Sequence, residues 1–172
     1  AEAPPPPPPV IVQRVDPEAS AGPGNTSQFM LAVSGGVNLN ESPDVPSFTS
    51  QARIGAVLGG HFLLGFVGWY LPAGRMGGGA LEMGGEFGGD VVRAQVSVQT
   101  GLYSASAAAG TGASSPLVLN FIPEIALLVF PTRSFYLGIQ LQVRLDVVAV
   151  NATDAPPMRP LPIGLFEIGI RL

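Results

Sequence analysis

Between Phe135 and Val147 the chain alternates without a break. Phe135, Leu137, Ile139, Leu141, Val143, Leu145 and Val147 fall on one face; Tyr136, Gly138, Gln140, Gln142, Arg144 and Asp146 fall on the other. A helix advances about 3.6 residues per turn and would mix these two sets, whereas a strand turns successive side chains to opposite faces. The same pattern returns where Val92, Ala94, Val96, Val98 and Leu102 oppose Arg93, Gln95, Ser97 and Gln99. At the C-terminus Phe166, Ile168, Ile170 and Leu172 alternate with Glu167, Gly169 and Arg171. Weaker versions occupy 28–38, 47–58, 62–71, 80–88 and 117–130, which brings the total to eight strand-like segments.

The connections sort by length. Long polar or Gly/Pro-rich stretches, Asn40 to Pro46, Pro72 to Gly79, Ser104 to Ser115 and Asn151 to Pro162, alternate with short turns at Gly59-Gly60, Gly89-Asp90 and Pro131-Thr132-Arg133. An even number of tilted strands with long loops at one end and tight turns at the other describes an all-β, eight-stranded, antiparallel up-and-down transmembrane barrel, both termini on the short-turn side. A two-residue hairpin loop at Gly89-Asp90 predicts Glu86 opposite Arg93, Gly84 opposite Gln95 and Glu82 opposite Ser97. At Gly59-Gly60 two parities stay open. A two-residue loop turns Leu63, Val67 and Trp69 toward lipid, and a three-residue loop turns Phe62, Leu64 and Phe66 there.

Composition decides which face is the inside. Charged residues make up only 12% of the chain, against about a quarter in soluble domains, and the mean hydropathy is +0.39. The apolar face holds most of the bulk, and the polar face is rich in Gly, Ser and Gln, which suits a narrow interior filled by side chains. The interior set carries both signs: Arg53, Arg93, Arg144 and Arg171 against Glu82, Glu86, Glu124, Asp146 and Glu167. A buried ion without a partner costs several kcal/mol, so this balance predicts a closed lumen held by ion pairs. Aromatic residues near the strand ends predict two interfacial girdles, with Phe48, Trp69, Tyr70 and Tyr103 at the loop side and Phe29, Phe62, Phe87, Phe130 and Phe135 at the turn side.

On these residues the stretch 27–172 resembles the small eight-stranded outer-membrane barrels of the OmpA and OmpX kind. The resemblance rests on strand count, loop alternation, inward charges and an apolar last strand, Ile163 to Leu172, and on no matched sequence motif. It implies a bacterial outer-membrane address, contact with outer-membrane lipid and periplasmic termini. Such proteins usually end in phenylalanine, and Leu172 departs from that. The opening Ala1-Glu2-Ala3, without an initiator methionine, looks like an end left by signal-peptide cleavage after small residues.

Residues 1–26 read as a separate tether. The uninterrupted run Pro4 to Pro9 fixes φ and removes backbone donors, which favours an extended polyproline II rod. Its functional reading is a spacer or a ligand for a periplasmic or envelope protein partner; the plainer one is a passive tail. The chain has no cysteine, and its eight basic residues are scattered arginines in a net charge of -4. Thiolate metal sites, cysteine nucleophiles and nucleic-acid binding are thereby disfavoured. No catalytic, cofactor or metal site is expected. His61, the only histidine, sits beside a turn at the end opposite to the outer rim, where lipid-modifying barrels place a catalytic histidine.

One rival architecture is a transmembrane helix over residues 54–74, which carry no formal charge. Their glycines at 55, 59, 60, 65, 68 and 74 are poor helix formers, and the strand reading also explains the other segments. The functional expectation is a non-enzymatic anchor, scaffold or adhesion protein with surface loops. The alternatives are a narrow pore or accessory barrel subunit of an envelope complex, with a lipid-modifying enzyme ranked last.

Overall fold

A computed structural model describes residues 27–39, 48–72, 76–105, 117–150 and 160–172. Eight antiparallel strands follow one another in chain order: β1 (Gln28–Asn38), β2 (Phe48–Leu58), β3 (Phe62–Leu71), β4 (Met76–Gly88), β5 (Val92–Ala105), β6 (Leu117–Val129), β7 (Phe135–Val150) and β8 (Leu161–Arg171). Each pairs with its neighbours in sequence, and β1 closes on β8 from Met30↔Arg171 to Asn38↔Ile163, so the sheet has no free edge. Closure matters because an unpaired strand edge in hydrocarbon would leave a row of unsatisfied N–H and C=O groups.

The polarity is inside out. Leu81, Val96, Ile125, Ile139 and Phe166 are among many apolar side chains exposed on the outer wall, while Glu82, Glu86, Gln99, Glu124 and Gln142 are almost fully buried in the lumen. A soluble barrel would show the reverse. This is the surface of a transmembrane β-barrel.

The strand 62–71 settles the open parity and removes the helical rival. Leu58 pairs with Phe62 across 59–61, with Gly59 and Gly60 at positive φ of 58° and 74°. Phe62, Leu64 and Phe66 therefore face outward, and Leu63, Val67 and Trp69 face in. Residues 54–74 thus contain the end of β2, a turn and β3 rather than a helix.

Two expectations need correction. The connection expected over Pro72 to Gly79 contracts to 72–75, because β4 begins at Met76 and Gly77, Gly78 and Gly79 pair with Tyr70, Trp69 and Gly68. Glycines carry no side-chain alternation to read, yet here they are strand residues roofed by aromatic neighbours. A Cβ on Gly79 would lie 2.7 Å from the Phe66 ring, and one on Gly78 would lie 2.9 Å from the Trp69 ring. The β4–β5 register also differs from the two-residue hairpin by two positions: Glu86 pairs with Gln95, Gly84 with Ser97 and Glu82 with Gln99. Gly88 ends β4 opposite Arg93, and Gly89 N–H donates to the Val92 carbonyl at 3.0 Å, so the chain reverses over Asp90 and Val91, one residue later than expected. A slip of two keeps every side chain on its face, which is why the lumen set survives the change.

The β6–β7 seam holds two irregularities. Leu119 pairs with Val148 but Asn120 with Asp146, so Val147 is an extra residue, a β-bulge that turns Val147 and Val148 outward together. A few residues on, Ile122 and Pro123 have no ladder partner on β7, although Pro123 is paired with Val98 on β5. Proline has no N–H to give, and the flanking register places it opposite Val143, whose carbonyl loses its donor. Replacing Pro123 with valine restores the bond. The expected result is a gain of about 1 kcal/mol in unfolding from detergent or vesicles, with slower amide exchange confined to this seam; unchanged stability and exchange would show that the gap costs nothing.

Candidate functional site: the lumen

The interior is layered along the barrel axis. At its middle lies Arg53 on β2, and its guanidinium reaches three carboxylates on three other strands. Nε is 2.9 Å from Glu82 on β4, Nη2 is 2.6 Å from Glu124 on β6, and Nη1 is 3.0 Å from Glu167 on β8. The planar fork of arginine offers five donors and suits such a fan, which a lysine ammonium could not hold in one plane.

One guanidinium does not balance three carboxylates, and neutral donors complete the shell. Ser97 Oγ donates to Glu82 at 2.8 Å. Gln95 and Gln99 donate to Glu124 at 3.1 and 2.9 Å, and Gln142 donates to it as well. Gln140 donates to Glu167. Gln142 also accepts a 2.8 Å bond from Gln51, straight across from β7 to β2. These amides and the hydroxyl do for the carboxylates what water would do outside.

Toward the short turns, Glu86 is shared by Arg171 and Arg93, the latter at 3.4 Å. Arg171 lies over the Phe130 ring at 4.6 Å and the Tyr136 ring at 5.5 Å, and Arg93 lies over Phe130 at 5.2 Å. Met30, Val57, Leu63 and Leu128 pack beside these rings. Tyr136 covers Gly169, its cross-strand partner, so closely that a Cβ there would fall 2.2 Å from the ring. Glycine at 169 is the space that the tyrosine occupies.

Toward the loops, Arg144 lies over Trp69 at 5.2 Å and over Tyr103 at 5.0 Å. Tyr103 Oη donates to Asp146 at 2.8 Å, and Leu71 and Val118 close the packing around the two rings. The interior is thus occupied along its length by charged groups, amides and aromatic rings.

The structure sorts the nine expected ionic residues into three groups. Arg53, Glu82, Glu124 and Glu167 meet at the middle, Glu86, Arg93 and Arg171 at the turn end, and Arg144 with Asp146 at the loop end. Arg144, Asp146, Glu167 and Arg171, adjacent on the polar faces of β7 and β8, do not form one cluster. The girdle assignment is corrected for three residues: Trp69, Tyr103 and Phe130 are buried in the lumen, while Tyr70 is exposed and Phe135 half-buried. Phe130 shares the parity of Glu124, and Tyr103 that of Gln99, so their direction was readable; Trp69 awaited the length of the 59–61 turn. His61 is an exposed turn residue whose Nδ1 lies 3.3 Å from the Glu86 carbonyl.

The chain is similar to the N-terminal β-barrel domain of Pseudomonas aeruginosa OprF, with a TM-score of 0.69 at 12% identity over 87% of this chain and 99% of that one. It is also similar to Neisserial surface protein A, with a TM-score of 0.58 at 11% identity over 86% and 99%. The Yersinia pestis attachment invasion locus protein Ail, solved with the heparin analogue sucrose octasulfate, gives 0.52 at 10% identity over 86% and 99%. The fold is that of the small outer-membrane barrels. No family model matches the sequence, and no curated protein is significantly similar to it.

Removing Arg53 tests the centre. Arg53→Met leaves three carboxylates buried around an apolar side chain, and a buried pair broken on one side costs about 3–5 kcal/mol. Denaturant unfolding of the detergent-folded barrel should show at least that loss. Adding Glu82→Gln, Glu124→Gln and Glu167→Gln to the same chain should recover most of it. A mild effect of Arg53→Met alone would mean that the glutamine shell, not the guanidinium, carries the carboxylates.

Proposed function

We propose that this chain is a bacterial outer-membrane anchor: a closed, non-conducting barrel that presents its loops outside the cell and holds its proline-rich N-terminal segment on the periplasmic side. The observation that carries the reading is the Arg53 fan, which occupies the middle of the lumen with Arg144 packed on Trp69 and Tyr103 on one side and Arg171 on Phe130 and Tyr136 on the other. A conducting barrel needs a continuous aqueous path, and this interior instead ties its charges to one another.

Orientation follows from connection length: three of the four connections at one end, 39–47, 106–116 and 151–160, are longer than any at the other, and only 72–75 is short. In bacterial outer-membrane barrels the short turns are periplasmic and the long loops extracellular. The connections 59–61, 89–91 and 130–134 lie at the end where β1 begins and β8 stops. Residues 1–26 would then enter the barrel from the periplasm, with Pro4 to Pro9 available to an aromatic groove of an envelope protein, the usual way a preformed polyproline II segment is bound. The connecting segments carry Glu41, Asp44 and Asp154 against Arg75 and Arg159. That mixture offers no basic surface for a sulfated polymer, so the heparin analogue held by Ail suggests no counterpart in these loops; a protein partner fits them better.

Two measurements test the proposal. The full chain in planar bilayers should give no steady single-channel current, and a reproducible current altered by Arg53→Met would replace the anchor reading with that of a pore. Exchanging Pro4 to Pro9 for Gly and Ser should leave a heat-modifiable folded band but abolish cross-links to envelope proteins in whole cells. Cross-links that persist unchanged would remove the proline run from the function.

A further inference from the structure

The three layers of the lumen differ in how their polar atoms are satisfied. In the middle all three carboxylates lie within ion-pair distance of Arg53 and accept hydrogen bonds from neutral side chains, so that beyond the Arg53 Nε–Glu82 Oε2 contact the atoms left unbonded there are amide oxygens of Gln95, Gln99 and Gln140; at the turn end both arginines reach Glu86, with Arg171 Nε unbonded. The loop end is different. Arg144 is nearly fully buried, yet its Nη1 bonds to nothing and its Nε lies 3.6 Å from Asp146 Oδ1, too far for a hydrogen bond. Asp146 is meanwhile engaged through its other oxygen by Tyr103.

The neighbours of Arg144 repeat the pattern. Asn120 is fully buried and is the cross-strand partner of Asp146, and both polar atoms of its amide lack a partner. Trp69, whose ring lies against Arg144, has an indole Nε1 without an acceptor. Thr49 is on β2, two residues before Gln51, the cross-strand partner of Trp69, and its buried hydroxyl is unbonded too. Leaving such groups unsatisfied costs about 1–3 kcal/mol each and more for a charged one, so a cluster of them in one layer implies something that satisfies them. Donors outnumber acceptors among the unbonded groups: two guanidinium N–H positions, the indole N–H, the amide N–H and a hydroxyl stand against Asn120 Oδ1 and Asp146 Oδ1. What is missing is an acceptor.

We propose that the loop-side mouth of the lumen is a binding site for a small oxyanion, a carboxylate or phosphate group, held by Arg144 with the Asn120 amide and the Trp69 indole as neutral donors. Arginine presents paired N–H groups to such oxygens, and the Trp69 and Tyr103 rings fix its guanidinium plane. Entry is from the loop side, where the Asp146 side chain keeps 18% of its surface exposed. Asp146 opposes the anion by its charge; its bond from Tyr103 holds one of its oxygens away. The proposal does not depend on the anchor reading, because the layers below this one can stay closed while it fills.

Trp69 is the only tryptophan, so the site contains its own reporter. The full chain, folded in a nonionic detergent, is titrated with inorganic phosphate and with acetate against chloride at constant ionic strength. The expected result is a saturable change in Trp69 emission with the oxyanions and none with chloride. Arg144→Gln should weaken the response at least tenfold. Asn120→Asp, nearly isosteric but anionic, should do the same in a barrel whose heat-modifiable band shows that it is folded, and it decides the question if Arg144→Gln does not fold. No saturable response, a response equal to that of chloride, or one unchanged in Asn120→Asp would overturn the proposal and leave ordered water as the occupant.

Discussion

The rest of the barrel depends on the contact between Arg53 and three glutamates. Arg53 belongs to β2, and Glu82, Glu124 and Glu167 belong to β4, β6 and β8, so one side chain ties the four even-numbered strands across the axis. The neutral donors that finish the carboxylates, Gln95, Ser97, Gln99, Gln140 and Gln142, come from β5 and β7. Inward residues of alternate strands meet at one height in a closed barrel because the strands are staggered. Ionic residues on one set of strands and amides on the other therefore mesh in a single layer. A shift of any one strand by a single residue would place its lumen set against lipid and strand the remaining partners in a dry interior.

This centre explains the distribution of glycine. Eight strands enclose little space, and the lumen holds arginines, glutamates and large rings at once. Room is recovered where Gly78 underlies Trp69 and Tyr103, Gly138 underlies Leu128 and Gly169 underlies Tyr136; at each of them an added Cβ would come within 2.9 Å of the side chain it faces. In a soluble protein such glycines would weaken a strand. Here an aromatic or leucine side chain from the next strand covers each one, which restores the packing that the glycine gives up.

Much of this architecture was legible in the sequence, because period-two alternation survives everything except loss of side chains. It identified the strands, their count, the closure and the face of every charged lumen residue from Arg53 to Arg171. Boundaries failed where glycine erased the signal, as at Gly77 to Gly79, and the β4–β5 register failed because the chain reverses over Asp90 and Val91 instead of Gly89 and Asp90. The grouping of the charges was not legible at all. Adjacency on β7 and β8 suggested a single cluster of Arg144, Asp146, Glu167 and Arg171, whereas the partners of each lie across the axis or at another height. The aromatic residues erred for a different reason: position near a strand end says how deep a ring lies along the barrel, and only parity says whether it faces lipid or lumen.

The two ends of the lumen are built from the same parts and finished differently. Each has arginine stacked on two rings and an acidic neighbour. At the turn end the carboxylate of Glu86 receives two guanidinium groups, and the layer is packed with Met30, Leu63 and Leu128. At the loop end one oxygen of Asp146 accepts from Tyr103 and the other is unbonded, and Arg144 keeps unanswered N–H groups beside Asn120 and Trp69. A barrel selected only for stability gains nothing from that difference, since buried donors without acceptors are a cost that one glutamate in place of Asn120 would reduce. The asymmetry therefore separates the roles of the two ends: the side where β1 begins and β8 stops is closed by the protein's own charges, and the opposite side keeps binding capacity in reserve.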